Sequence, residues 1–250
     1  MSLAISVKNL TRVLGNKTVL TDVTFDVPRG SICAFLGNNG AGKTTTISIL
    51  TGLLAPTSGE TLVLGKAMAN SASELRHSIG TVFDAQNLFE DLTLAEHLNF
   101  SARMYGVPGP EGARRAEELI DLFSLRDGMH KPMHTFSHGM KKKAALSCAL
   151  IHDPEILFLD EPFEGVDAGS IRTISDTLRD FASRGRTIFI TSHILSLVEK
   201  LCNQIVILHR GQIVHQEDNF NIDTSIESLE SLFLRATATG VAGKALSWNR

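Results

Sequence analysis

Gly37-Asn38-Asn39-Gly40-Ala41-Gly42-Lys43-Thr44 is the stretch that decides how this chain reads. An apolar run, Ile32 to Leu36, leads into it, and a helix-like run, Thr45 to Leu50, leads out. The glycines let successive backbone N–H groups curl around a phosphate chain, and the helix that follows adds its positive N-terminal end. In that frame Lys43 reaches the terminal phosphates and the Thr44 hydroxyl ligates Mg²⁺. A glycine turn that merely joins a strand to a helix is the bland alternative. The strand–loop–helix frame argues against it.

The rest of the composition is that of a soluble globular protein. The 250 residues are 43% hydrophobic and 20% charged, with a formal net charge of −3, so no global basic field points to nucleic acid or an acidic membrane. The apolar stretch Ala144 to Ile151 is far short of the roughly 20 residues needed to cross a bilayer. Met1-Ser2-Leu3-Ala4 does not open a secretory signal, and a cytosolic chain is expected. Cys33, Cys148 and Cys202 are odd in number and widely spaced in apolar surroundings, so they read as reduced core residues.

Working outward from the loop, Ala4–Val7, Val19–Val27 and Ile32–Leu36 are β-like. Pro56-Thr57-Ser58-Gly59 is a turn before a strand at Glu60–Leu64, and Ile79–Phe83 is another strand. The texture then turns helical over Leu94–Tyr105 and Ala113–Phe123, broken by Gly106-Val107-Pro108-Gly109-Pro110. The α/β pattern resumes with a strand at Ile156–Leu159, a helix at Ser170–Ala182 and a strand at Thr187–Thr191. A helix at Ile194–Leu201, a strand at Ile205–Leu208 and a hairpin turn at Arg210-Gly211 into Ile213–His215 follow. Thr224-x-x-Glu227 reads as a capping box opening a short helix to about Leu234. The expected organisation is one domain over 1–235 and a loose tail over 236–250. Within it, 1–86 and 151–215 form an α/β core, 87–150 an inserted helical lobe and 216–235 a C-terminal helical region. Alternating strands and helices imply a mainly parallel sheet with its ligand at the strand ends.

A second constellation fits that edge. Ile156-Leu157-Phe158-Leu159 ends in Asp160-Glu161. Beside the phosphate loop, Asp160 can hold Mg²⁺ through its water shell and Glu161 can polarise a water for attack on a γ-phosphate. Two acids at a buried strand end are costly unless a cation or ligand compensates them. His193 follows the strand at Thr187–Thr191 at the same edge and is within reach of the same phosphate.

With these residues in place, the chain resembles the nucleotide-binding subunit of an ATP-binding cassette (ABC) transporter over about residues 3 to 235. Phe136-Ser137-His138-Gly139-Met140-Lys141 is similar to the family signature, most often LSGGQ, and its Gly-Met-Lys form resembles exporters of drugs, peptides, lipids or polysaccharides. The resemblance implies a P-loop NTPase fold of ABC type, with an antiparallel β subdomain at the N-terminus. It implies ATP and Mg²⁺ as ligands. Gln86 would sense Mg²⁺ and the attacking water, His193 would be the switch histidine, and Thr45 the second threonine of the phosphate loop. Ser137 and the Gly139 amide would close on the γ-phosphate held by a second subunit, and Asp167 would run along that interface. Leu14 falls where the family usually presents an aromatic ring to adenine. His138, Met140, Glu164 and Leu14 depart from the commonest pattern.

The resulting expectation is an ATP hydrolase with Lys43, Gln86, Glu161 and His193 as its working side chains. Its partners would be a second nucleotide-binding subunit, most simply an identical one, and a separate membrane permease, with no nucleic acid. It would sit peripherally on the cytoplasmic face of the membrane and dock through the segment from Gln86 to Leu94, which includes Asn87-Leu88-Phe89. Two rivals stay open: a cytosolic cassette ATPase that serves assembly, and a subunit that no longer hydrolyses ATP. His130, His134 and His138 recur every fourth residue, but Pro132 breaks the helix a metal stripe would need. Lys141-Lys142-Lys143 reads as a solvated helix face.

Overall fold

Val23, Phe25 and Val27 are buried while Thr24 and Asp26 face solvent, the period-two alternation of a half-buried antiparallel strand. Ile32–Leu36 is buried at every position, as a strand covered on both faces must be. These two patterns separate the two sheets of the computed structural model, which describes residues 2–83, 88–220 and 228–238. In chain order its first half comprises β1 (Leu3–Leu14), β2 (Lys17–Pro28), β3 (Ile32–Leu36), α1 (Lys43–Leu50), β4 (Ser58–Val63), β5 (Lys66–Ala67), α2 (Met68–Leu75) and β6 (Ile79–Val82). Three helices follow, α3 (Leu94–Met104), α4 (Gly109–Leu122) and α5 (His138–Leu150). The chain then returns through β7 (Ile156–Asp160), α6 (Ala168–Ser183), β8 (Thr187–Ser192), α7 (Leu195–Val198), β9 (Gln204–His209), β10 (Gln212–Asp218) and α8 (Leu229–Thr237).

One sheet is antiparallel, in the order β2-β1-β4-β5. The other runs β10-β9-β3-β8-β7-β6 and is parallel except for β10. Alternate residues of β3 serve two cores. Cys33 and Phe35 pack toward the antiparallel sheet, Ala34 and Leu36 toward the helices. Phe25, Phe35, Phe158 and Phe189 tie the two sheets together through ring centroids 5.1 to 5.9 Å apart. On the opposite face Leu94, Leu98, Ile120, Phe123 and Ala144 from α3, α4 and the loops and helix that follow share one core with the sheet. The C-terminal ends of β3, β7 and β8 lie at a common edge, with Leu36 opposite Ser192 and Asp160 opposite Thr191.

Several boundaries differ from the sequence expectation. α4 starts at Gly109 rather than Ala113, because Pro110 sits in the first turn, where its missing N–H costs nothing. α3 is opened by a capping box that the sequence reading passed over: Thr93 Oγ1 accepts from Glu96 N–H, and Glu96 accepts from Thr93 N–H. α8 is capped by Ser228; Thr224 and Glu227 lie outside the described residues. α7 covers four residues only, with no side-chain cap at Ile194. β5 and α2 were not anticipated. Arg210 and Gly211 both have positive φ, 49° and 79°, as a two-residue hairpin turn requires. Cys33, Cys148 and Cys202 are free thiols, and burial raises the pKa of each, that of Cys148 to about 11.

The end of α3 meets the loop after α5 through a stacked pair, Tyr105 on His152, with centroids 3.6 Å apart. His152 Nε2 bonds the Ile79 carbonyl at 3.1 Å, and burial lowers its pKa from 6.5 to about 4. Between those two pH values the unfolded chain binds a proton that the folded chain refuses, so stability falls as pH drops through that window. Thermal melts from pH 7 down to pH 4.5 will therefore show a declining midpoint, and His152→Gln will flatten part of that decline. An unchanged slope in the variant would place the acid sensitivity elsewhere.

Candidate functional site

The loop at 37–44 is shaped by close contacts that exclude side chains. A Cβ on Gly37 would lie 2.5 Å from the Leu208 carbonyl oxygen. Gly42, with φ at +115°, would bring one within 2.6 Å of Leu20 Cδ2. The Ala41 amide donates to the Asn38 carbonyl at 3.0 Å, and the β9–β10 turn braces the loop from behind, Gly211 N–H donating to the Ala41 carbonyl at 3.1 Å. Gly42 is the N-cap of α1 and offers no side-chain cap, so the first-turn amides of α1 remain free for an anion.

Lys43 is 7% exposed, and its Nζ donates to the Gly37 carbonyl at 2.8 Å. The Thr44 hydroxyl donates to Asp160 Oδ2 at 2.7 Å. On the far side of the same carboxylate, the Thr191 hydroxyl donates to Oδ1. Asp160 is thus buried, at 8% exposure, with both oxygens hydrogen-bonded. Next to it Glu161 turns out of β7 with φ at +48°. Its Oε2 accepts from the His193 backbone N–H at 3.2 Å and faces His193 Nδ1 at 2.9 Å. Its Oε1 lies 3.4 Å from Lys43 Nζ and is otherwise buried without a hydrogen-bond partner among the described residues. Lys43, Thr44, Asp160, Glu161 and His193 therefore converge at the sheet edge, although they come from three separate parts of the chain.

A cleft of about 390 Å³ opens over them, lined by Leu14, Asn38, Asn39, Gly40, Gly42, Lys43, Thr44, Thr45, Asp160 and Glu161, and also by Lys17 and Val19. Leu14 ends β1, is 41% exposed and belongs to the cleft lining. Lys17 and Val19 were not singled out from sequence; Lys17 is placed opposite Leu14 by the β1–β2 pairing, which only the register shows. Gly37 and Ala41 are buried behind the lining. Gln86 lies outside the described residues. The donor set suits Mg²⁺: a hydroxyl and a carboxylate already 2.7 Å apart, hard oxygen ligands beside a ring of free amides.

Ser137 and Gly139 do not line this cleft. Ser137 caps α5, accepting from Met140 N–H at 3.3 Å, and is exposed. His138 packs its ring on Gly165, where a Cβ would come within 2.5 Å of its Cδ2. Its bulk is accommodated because residue 165 has no side chain. Asp167 caps α6, accepting from the Ser170 N–H at 3.0 Å and hydroxyl at 2.6 Å, which holds its pKa below the usual carboxylate value. The reading of Lys141–Lys143 as a solvated face needs correction. Lys141 pairs with Glu90 at 2.7 Å, and Lys142 is 2% exposed with its Nζ 3.0 Å from the Glu161 carbonyl. His134 sits in a 3₁₀ turn, Met133–Thr135, and bonds the Glu90 carbonyl at 3.2 Å.

The ABC transporter family model matches residues 20–164. The chain is 32% identical to the ABC transporter ATP-binding protein NatA of Bacillus subtilis, over 88% of this chain and 91% of that protein. It is 35% identical to the bacitracin transport ATP-binding protein BcrA of Bacillus licheniformis, over 86% of this chain and 70% of that one. A solved ATP-binding subunit of an ABC transporter superposes with a TM-score of 0.85 at 33% identity, covering 94% of this chain and 99% of the other. The chain belongs to the ABC transporter family and is an ATP-binding domain of it.

Thr191 is a residue that sequence reasoning missed, although its register opposite Asp160 on β8 marks it. Its hydroxyl is buried and serves both Asp160 and the Glu161 amide. Thr191→Val keeps the shape and strips a hydrogen bond from a buried carboxylate, so the fold will lose about 1–3 kcal/mol. Urea unfolding without nucleotide measures this; a loss below about 0.5 kcal/mol would mean that Asp160 is not held as described.

Proposed function

We propose that the chain is the ATP-hydrolysing subunit that powers a membrane exporter. The observation that carries this reading is the Glu161 carboxylate, pinned between Lys43 and His193 in the lining of the cleft. Glu161 orients the attacking water and takes its proton, while Lys43 and His193 stabilise the charge on the γ-phosphate. Thr44 and Asp160 would hold Mg²⁺, which neutralises phosphate charge when bound. Gln86 is assigned to the water and the metal by family resemblance alone. Glu161→Gln keeps size and removes charge, so phosphate release will fall by roughly 10² or more while ATP binding persists. Undiminished turnover would reject Glu161 as the hydrolytic carboxylate.

Two subunits sandwiching two ATP molecules is the arrangement that fits best. Ser137 and Gly139 stand apart from the cleft of their own chain, at a helix N-terminus able to bind an anion, which suits the γ-phosphate held by another copy. The exporter assignment rests on the Gly-Met-Lys signature, and likeness to the bacitracin transport protein supports a transport role. No helix among the described residues is long and apolar enough to cross a membrane, so a transport role calls for a permease subunit. A peripheral position on the cytoplasmic membrane face follows from that pairing.

Leu88 and Phe89, in the segment expected to dock, differ in their surroundings. Leu88 is partly buried and packs against the helical core. Phe89 is 59% exposed and lies over the buried His97 ring, with the exposed Phe100 edge-on at 6.1 Å. An exposed aromatic pair of this kind marks an interface. Phe89→Asp will move the subunit from the membrane fraction to the soluble fraction when it is co-expressed with its permease, with ATP binding intact. A wild-type chain found wholly in the soluble fraction would favour the cytosolic assembly ATPase.

A further inference from the structure

Lys142 is the fifth residue of α5, the helix that Ser137 caps, and its side chain is almost wholly buried. A buried ammonium is costly to desolvate unless its surroundings compensate it. Its Nζ donates to the Glu161 carbonyl at 3.0 Å, and the Glu164 amide donates to the same oxygen at 3.3 Å. On the other side of Glu161, its N–H donates to the Thr191 carbonyl and hydroxyl, both at 3.2 Å. Glu161 has the left-handed backbone, which a residue carrying a Cβ keeps only where its surroundings hold it. Both ends of its peptide frame are therefore held, one by β8 and the other by α5.

The side chain inherits that constraint. If the Glu161 backbone relaxed out of the left-handed region, Cα–Cβ would swing and the carboxylate would leave Lys43 and His193. Lys142 also borders a cavity of about 480 Å³ shared with Asp160, Glu161 and Glu164. We propose that Lys142 is a positioning residue for ATP hydrolysis: it fixes the backbone of Glu161 and thereby the aim of the carboxylate. The inference rests on the reading of Glu161 as the hydrolytic group. Its consequence is a link within one chain. The helix whose N-terminus carries Ser137 also holds the carboxylate of its own cleft, so a shift of α5 is felt at Glu161.

Two variants test this. Lys142→Met is close in length and removes the charge and the donor, and its circular dichroism and urea midpoint check that the fold is kept. Lys142→Arg keeps a cationic donor. Lys142→Met is expected to lower kcat roughly tenfold to a hundredfold with KM for ATP within about twofold, and Lys142→Arg to recover most of the loss. A crystal structure of Lys142→Met is expected to show the Glu161 carboxylate displaced from His193 Nδ1. An unchanged kcat, a change confined to KM, or an undisplaced carboxylate would each overturn the proposal. A wild-type chain that binds ATP but releases no phosphate would reject the hydrolytic reading itself; the Lys142→Met structure would still decide whether Lys142 holds Glu161.

Discussion

The buried Asp160 carboxylate is the junction on which the site depends. Each oxygen accepts a hydrogen bond from a hydroxyl on a different element, Thr44 at the start of α1 and Thr191 in β8. A carboxylate this far from water is unfavourable without such partners, and satisfying it locks the phosphate loop to the middle of the parallel sheet. Everything else at the edge follows from that lock. Glu161, one residue on, is placed by β7. Lys43, one residue before Thr44, is placed by α1. His193 is two residues beyond Thr191. Three short apolar strands thus bring five polar residues to one point with little dependence on flexible loops.

Much of this was legible in the sequence, for physical reasons that can be named. The phosphate loop announces itself because Gly37 is required by its approach to the Leu208 carbonyl, Gly42 by its approach to Leu20 and Gly40 by its positive φ. β3, β7 and β8 are readable as continuous apolar runs because both faces of that sheet are covered. What sequence could not show is which distant residues meet. Thr191 looks like any strand threonine until the register sets it opposite Asp160. Lys142 looks like one of three surface lysines until α5 turns it inward. The start of α4 was misplaced because Gly109-Pro110 reads as a breaker, whereas in a first helical turn the proline is tolerated.

The departures from the commonest family pattern find local explanations of unequal depth. His138 replaces a small residue at the head of α5, and Gly165 makes room for its ring. Leu14 gives the cleft an aliphatic wall, and no aromatic side chain lines it among the described residues. Glu164 adds a carboxylate to the cavity that Lys142 borders. Asp167 serves as a helix cap, which accounts for its presence without an interface and leaves the interface role open to the same residue.

The structure of the chain with Mg²⁺ and ATP tests the central claim most directly. The account predicts that the backbone of 37–44 stays in place. Lys43 Nζ will leave the Gly37 carbonyl for the terminal phosphates, and the metal will sit on the Thr44 hydroxyl with Asp160 behind it. Nucleotide bound away from this edge, or a loop that must refold before it binds, would contradict the claim that the Asp160 junction builds the site in advance.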